Sequence, residues 1–286
     1  MRKKSKLNHQ KLSPLRAVIS VFLFLVCAFY LFLLAWTFLS SLKGFLEYTQ
    51  DRLSLPKDWL FSNYKLAWDT LSAGGKSVPT MIFNGLWLSV GGVLISQMCC
   101  LCFAYVMARF NFPLKRFFNG LNMVIIMVPI IGALPSMMKM VLTLGIYDSP
   151  LYLLSYVGGF GGGLVIYRTA FRNVSWQFAE AGYIDGATHF QVFSRLMLPQ
   201  IKPLIIAQAI GGFIGIWNDA MTPLLYLPSY NTLSSGLYVY QIEMERKLNN
   251  PVLFTGCILC AIPPLLLFII FHKYMMEVDL SGGLKG

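Results

Sequence analysis

The chain has 286 residues, of which 56% are hydrophobic and 12% charged, and it carries a net charge of +11. A soluble domain holds about 25% charged residues, so this composition excludes an ordinary soluble globular fold. The basic excess collects on one side of the predicted membrane segments, which makes it a topology signal rather than a nucleic-acid patch.

A helix needs about 20 apolar residues to cross a bilayer core about 30 Å thick. After a basic segment at 1–16, the first predicted span covers 17–39. Its apolar run is too long for a signal peptide, and no small-residue cleavage site follows it, so it reads as a retained helix. The segment 43–79 is mixed in charge and reads as an extracytoplasmic cap. Within it, Gly74-Gly75-Lys76-Ser77 mimics the end of a phosphate-binding loop. The first glycine of such a loop would fall at Thr70, and no strand precedes it. Further spans are predicted at about 81–108, 117–143, 149–171, 203–225 and 248–271, with a second extracytoplasmic segment at 226–247. A charge at the centre of such a helix costs about 2.5–3.5 kcal/mol, and the apolar runs within these segments, 17–39, 81–108, 117–138, 149–167, 203–218 and 248–271, carry none. They also lack the alternation of a β-barrel strand. The expectation is a single all-α, polytopic domain of six transmembrane helices.

Orientation follows from Lys and Arg in the short loops. With the N-terminus inside, the segments 1–16, 109–116, 168–202 and the tail past 271 hold 15 of the 23 Lys and Arg but only four of the 12 acids. Both termini are therefore expected in the cytoplasm. All six cysteines lie in apolar runs, and Cys257-x-x-Cys260 has no second pair to complete a metal site. The glycines from Gly158 to Gly163, and Gly211 with Gly215, have the spacing of close helix packing. The same glycines also suit spans that change shape in a cycle.

The inner loop 172–202 is longer than a connection requires. Ser175 is placed to cap a short helix, and Asp185-Gly186 reads as a turn. Thr188 and Gln191 have capping-box spacing for a second short helix, whose Phe190, Phe193, Leu196 and Met197 are expected on one face. Pro199 ends it. Such a helix pair is either a surface-lying amphipathic segment or a docking knob for a soluble partner.

This loop resembles the cytoplasmic EAA loop of bacterial ABC importer permeases. The family pattern is roughly E-A-A, three residues, G, and a later hydrophobic-L-P ending. Here it reads Glu180, Ala181, Gly182, Asp185, Gly186, Ala187 and, at the end, Leu198-Pro199. Gly182 replaces the usual second alanine, at a helix-propensity cost of about 1 kcal/mol. The resemblance implies that these eight residues couple the chain to an ATPase. Ala104-Tyr105, Ala108-Arg109-Phe110, Trp217-Asn218-Asp219 and Pro223-Leu224 also resemble sugar importer permeases. The tail from Lys273-Tyr274 to Gly282-Gly283-Leu284-Lys285-Gly286 is similar to that of the maltose-type subfamily.

The resemblance implies a type I ABC importer permease fold in a bacterial cytoplasmic membrane. It implies a second permease subunit in a heterodimer, two ATPase subunits and an extracytoplasmic sugar-binding protein. This chain would bind no cofactor, with ATP and Mg held by the partner ATPase and no nucleic acid involved. Trp217, Asn218 and Asp219 are candidates for lining the sugar path, or for packing alone.

Two other classes remain. A membrane-embedded enzyme needs a convergent polar site, yet His9, His189 and His272 are far apart, and Asp219 is the only acid near a span. A channel or secondary transporter acting without ATP is the runner-up, and copurification of an ATPase discriminates against both.

Overall fold

The computed structural model describes residues 14–128, 132–247 and 249–281. The basic N-terminal segment up to residue 13 and the tail 282–286 therefore lie outside the described residues. In chain order the helices are α1 (Pro14–Ser41), α2 (Phe45–Gln50), α3 (Ser62–Thr70), α4 (Val78–Arg109), α5 (Lys115–Met127) and α6 (Ala133–Thr143). A 3-10 helix (Pro150–Tyr156) leads to α7 (Gly162–Asn173) and α8 (Gln177–Ile184). Then come α9 (His189–Gln200), α10 (Lys202–Asn218), α11 (Met221–Tyr226), α12 (Leu233–Lys247) and α13 (Asn250–Ser281).

Among the described residues, three helices are each long and apolar enough to cross a membrane, within Ala17–Ser41, Val78–Arg109 and Asn250–Lys273, and the bent pair His189–Gln200 with Lys202–Asn218 would make a fourth if taken as one span. The other segments predicted as spans are built from broken helices, and each break has a local cause. Val128 ends α5 in extended backbone just before Pro129, as the residue preceding a proline must. The glycine run interrupts 149–171, and Gly161 (φ 117°) takes a backbone conformation that a side chain would strain. Its N–H donates to Asn122 Oδ1 at 2.6 Å. Asp219 parts α10 from α11 by accepting the N–H groups of Met221 and Thr222 at 3.0 and 3.1 Å. Broken backbone is tolerated at membrane depth where protein satisfies its polar groups.

The chain divides into two compact units, Met1–Ala67 with Met244–Ile258 and Trp68–Glu243 with Leu259–Gly286. In the first, the middle of α1 exposes apolar side chains all round, from Val18 to Phe38. Its end is capped: Asn63 Nδ2 donates to the carbonyls of Ser41 and Lys43 at 2.8 and 2.9 Å, answering groups that a helix C-terminus leaves open. Lys43 is buried, and its ammonium donates to the Asp51 carbonyl at 3.0 Å and to Ser54 Oγ at 3.2 Å.

In the second unit α4 is the central helix, and glycines let its neighbours approach. A Cβ at Gly85 would meet the Trp217 ring at 2.9 Å, and one at Gly92 would meet Ile216 at 2.9 Å and Tyr156 at 3.1 Å. On α10 the packed glycine is Gly212, against Val93, while Gly211 and Gly215 have nothing within 4 Å. Gly74 and Gly75 both have positive φ and form a tight turn between Ala73 and Lys76. That geometry belongs to a hairpin-type turn and not to a phosphate loop.

Trp217 is 1% exposed and stacks on Phe213. Its indole N–H donates to the Cys260 carbonyl at 3.1 Å. Pro264 stands four residues after Cys260 and withholds the helical N–H that would reach that carbonyl, so the indole supplies a donor in its place. Trp217→Phe is expected to lower stability by about 1 kcal/mol, the worth of one hydrogen bond. Trp217→Ala is expected to cost about 3–5 kcal/mol through the cavity it leaves. Thermal unfolding in detergent checks this order, and equal effects would show that the indole N–H contributes nothing.

Candidate coupling site

The loop between α7 and α10 is held by α4. Arg109, the last residue of α4, donates its guanidinium to the carbonyls of Phe171 and Val174 at the end of α7. Those carbonyls have no helical partner, and a cation suits the negative end of the helix dipole. The same guanidinium lies 5.2 Å from the Trp176 ring centroid, a cation–π contact worth about 0.5–2 kcal/mol.

Above this clamp, α8 begins at Gln177, whose N–H reaches Ser175 Oγ at 3.4 Å. Ala179 and Gly182 are buried, whereas Glu180 and Ala181 face outward. A Cβ at Gly182 would press on Leu196 Cδ1 and stand 3.3 Å from Val192 Cγ2. The missing methyl group is thus the space into which Leu196 packs. Gly186 has φ 80°, and its N–H returns to the Tyr183 carbonyl at 3.1 Å, while Ala187 N–H bonds the Gly182 carbonyl at 2.9 Å. This closes α8 with a left-handed glycine cap.

The capping box forms in α9. Thr188 Oγ1 accepts the Gln191 N–H at 3.3 Å, and Gln191 Oε1 accepts the Thr188 N–H at 2.8 Å. From Val192 to Met197 the helix is π-helical, with i→i+5 hydrogen bonding. That widened turn brings Val192, Phe193 and Met197 together as the buried face. Phe190, expected on the same face, is instead 73% exposed. The buried face joins Tyr105, Tyr167, Phe171 and Ala179 in one core, with Tyr105 4.9 Å from Phe193 and 5.3 Å from Phe171 between ring centroids. Leu198 is half-buried in this core and Pro199 is exposed, after which the chain bends by 80° into α10.

The loop therefore presents a rigid back and an exposed front. Phe178, Glu180, Ile184 (85% exposed), Asp185 and Phe190 are exposed, and a cleft of about 390 Å³ is lined by Gly182, Asp185, Gly186, Gln191, Arg195 and Leu196. Ile184 escapes motif reading, and the resemblance around Arg109 does not show its role, because neither exposure at a tip nor a long-range bond to a carbonyl leaves a local spacing.

The second candidate group separates. Trp217 is enclosed by helices, Asn218 is exposed, and Asp219 is half-buried as the cap of α11. A different opening of about 280 Å³ lies between α4 and α10, lined by Ser96, Gln97, Tyr156, Gly212 and Gly215. Tyr167 donates its hydroxyl to Gln97 Oε1 there. Among the described residues, no three His, Cys, Asp or Glu side chains converge as a metal site requires.

Residues 101–276 match the family of binding-protein-dependent transport system inner membrane components. The chain belongs to that family. This permease is 26% identical over 270 residues to the probable ABC transporter permease protein YurM of Bacillus subtilis, covering 93% of this chain and 87% of that one. It is 28% identical over 269 residues to the trehalose transport system permease protein SugB of Mycobacterium tuberculosis, covering 92% and 95%. A crystal structure of a bacterial ABC transporter that imports the acidic polysaccharide alginate matches with a TM-score of 0.72 at 22% identity, covering 91% of this permease and 95% of that chain. The fold of the permease is thus that of an ABC importer membrane subunit.

Arg109→Ala removes both bonds to the end of α7 and the ring contact, at an expected cost of about 2–3 kcal/mol. Hydrogen exchange across 177–201 should rise in this variant. Arg109→Lys should be intermediate, because an ammonium can still donate to the carbonyls but lacks the delocalised plane that covers the Trp176 ring. Unchanged exchange in Arg109→Ala would show that the loop is held by its apolar back alone.

Proposed function

We propose that this permease is the transmembrane subunit of an ATP-driven carbohydrate importer, and that its loop 172–202 transmits the work of a separate ATPase. The observation that carries this reading is the loop itself, buried on one side against α4 and α7 and exposed on the other. A push on Glu180, Ile184 or Phe190 would act on a packed body and so move the membrane helices. Gly186 allows the tight cap that puts Ile184 and Asp185 at the tip. Glu180 and Asp185 give that tip a negative rim, and Ala181 keeps its outer wall low.

In this reading the loop and both termini face the cytoplasm, and 43–79 and 226–247 face outward. A second permease subunit forms the other half of the path, two ATPase subunits dock beneath, and an extracytoplasmic binding protein delivers the sugar. ATP and Mg bind the ATPase subunits. Trehalose for SugB and alginate for the structural neighbour support a di- or oligosaccharide as cargo. Asn218 and the opening lined by Ser96, Gln97 and Tyr156 offer the hydroxyl, amide and aromatic chemistry that sugars need.

The test is purification from the native membrane. An ATPase subunit and a second permease should accompany this chain, and the chain alone should hydrolyse no ATP. Single cysteines at position 190 should react only from the inside of sealed cells, and at position 60 from outside. Binding-protein-dependent uptake that persists without any ATPase would overturn the reading in favour of a secondary transporter.

A further inference from the structure

Three cations gather where α5 begins and α7 ends, away from the exposed front of the loop. They are Lys115 in the first turn of α5, and Arg168 and Arg172 one turn apart on α7. Arg168 donates one guanidinium nitrogen to Asn119 Oδ1, while its Nε is buried without a partner. Lys115 Nζ is held against the Phe110 carbonyl at 2.8 Å. Burial lowers the Lys115 pKa from its ordinary value, and the charges of Arg168 and Arg172 lower it further. Among the described residues, no carboxylate pairs with any of the three. Like charges this close repel one another, so the arrangement favours an anion from outside the chain.

The two arginines, Asn119 and Thr169 border a narrow cleft of about 80 Å³ whose other wall includes Met123. Apolar side chains continue from that wall, with Met123 and Met127 exposed on α5 and Val165 exposed on α7. Cations at one end and a bare apolar surface at the other match an amphiphile whose polar end is an oxyanion.

We propose that this cleft binds the phosphate of an anionic phospholipid headgroup, with the acyl chains lying along the exposed faces of α5 and α7. Arginine forks match phosphate oxygens in paired hydrogen bonds, and basic pockets between membrane helices hold acidic headgroups. A free phosphate ion would use the cations but not the apolar wall, so the lipid is the better fit. The headgroup lies in the inner leaflet if the orientation proposed above holds; the binding itself does not depend on that orientation.

The test uses the purified importer with its partner subunits in phosphatidylcholine nanodiscs containing a small fraction of phosphatidylglycerol. Native mass spectrometry reads the phosphatidylglycerol retained per complex. Each lost cation is expected to weaken retention about fivefold. Arg172→Gln should show this alone, since Arg172 is exposed and its loss leaves the Arg168 bond to Asn119 in place. Arg168→Gln with Arg172→Gln should show more. Arg116→Gln, an exposed neighbour on α5, should retain lipid like the wild type. Equal retention by wild type and Arg172→Gln would overturn the proposal, as would equal loss in Arg116→Gln. Displacement of the lipid by inorganic phosphate would overturn the lipid assignment. Loss of the partner permease from the Arg172→Gln complex, with lipid retention unchanged, would assign the cations to a protein carboxylate instead. The readout involves neither ATP hydrolysis nor transport, so its failure leaves the importer reading standing.

Discussion

Arg109 joins the end of α4 to the end of α7 through two carbonyl oxygens, and the loop that follows α7 starts from that junction. Helix ends leave carbonyls that must find donors, and inside a membrane protein water does not supply them. Here one guanidinium supplies two bonds and covers Trp176 as well. Without it, α8 would begin on an open helix end. With it, the backs of α8 and α9 settle on Tyr105, Phe171 and Phe193 as part of one core. A loop that is part of the core is able to carry force, whereas a tethered loop absorbs it.

Close approach is the second constraint. Gly85 and Gly92 bring α10 and the 3-10 helix against α4, and Gly182 brings α9 against α8. In each case the absent side chain is filled by a named neighbour: Trp217, Ile216 and Leu196. The same residue type also breaks helices, as at Gly161, so the second unit combines tight contacts with interrupted spans. Such interruptions mark where helices can tilt against one another without unfolding.

Local signals were the legible ones. Thr188 and Gln191 form the capping box their spacing implies, and Gly186 closes the turn after Asp185, because both depend on residues within a few positions. The face of α9 departs from the expected one at Phe190, since a 3.6-residue period does not hold through the π-helical turn at Val192–Met197. Spans 117–143 and 149–171 read as continuous from their apolar content, yet hydropathy does not register a backbone break at a glycine run or before a proline. Trp217 is a candidate for lining the path or for packing alone, and in the structure it packs against Phe213 and Cys260. Its place is set by Gly85 and by Pro264, 47 positions further on in the chain, and no local pattern encodes that.

The central claim is that loop 172–202 couples ATP hydrolysis to movement of the membrane helices. Gly186→Trp tests it most directly. Gly186 is exposed and has no atom near its missing Cβ, but its φ of 80° resists a side chain, and an indole there would stand between the tip and any docked partner. In proteoliposomes holding the complete importer, sugar uptake and ATP hydrolysis should be measured together and normalised to the permease inserted. The account predicts normal insertion with uptake lost, through failed docking of the ATPase or through hydrolysis that no longer drives transport. Wild-type uptake with wild-type hydrolysis in a well-inserted Gly186→Trp importer would contradict it.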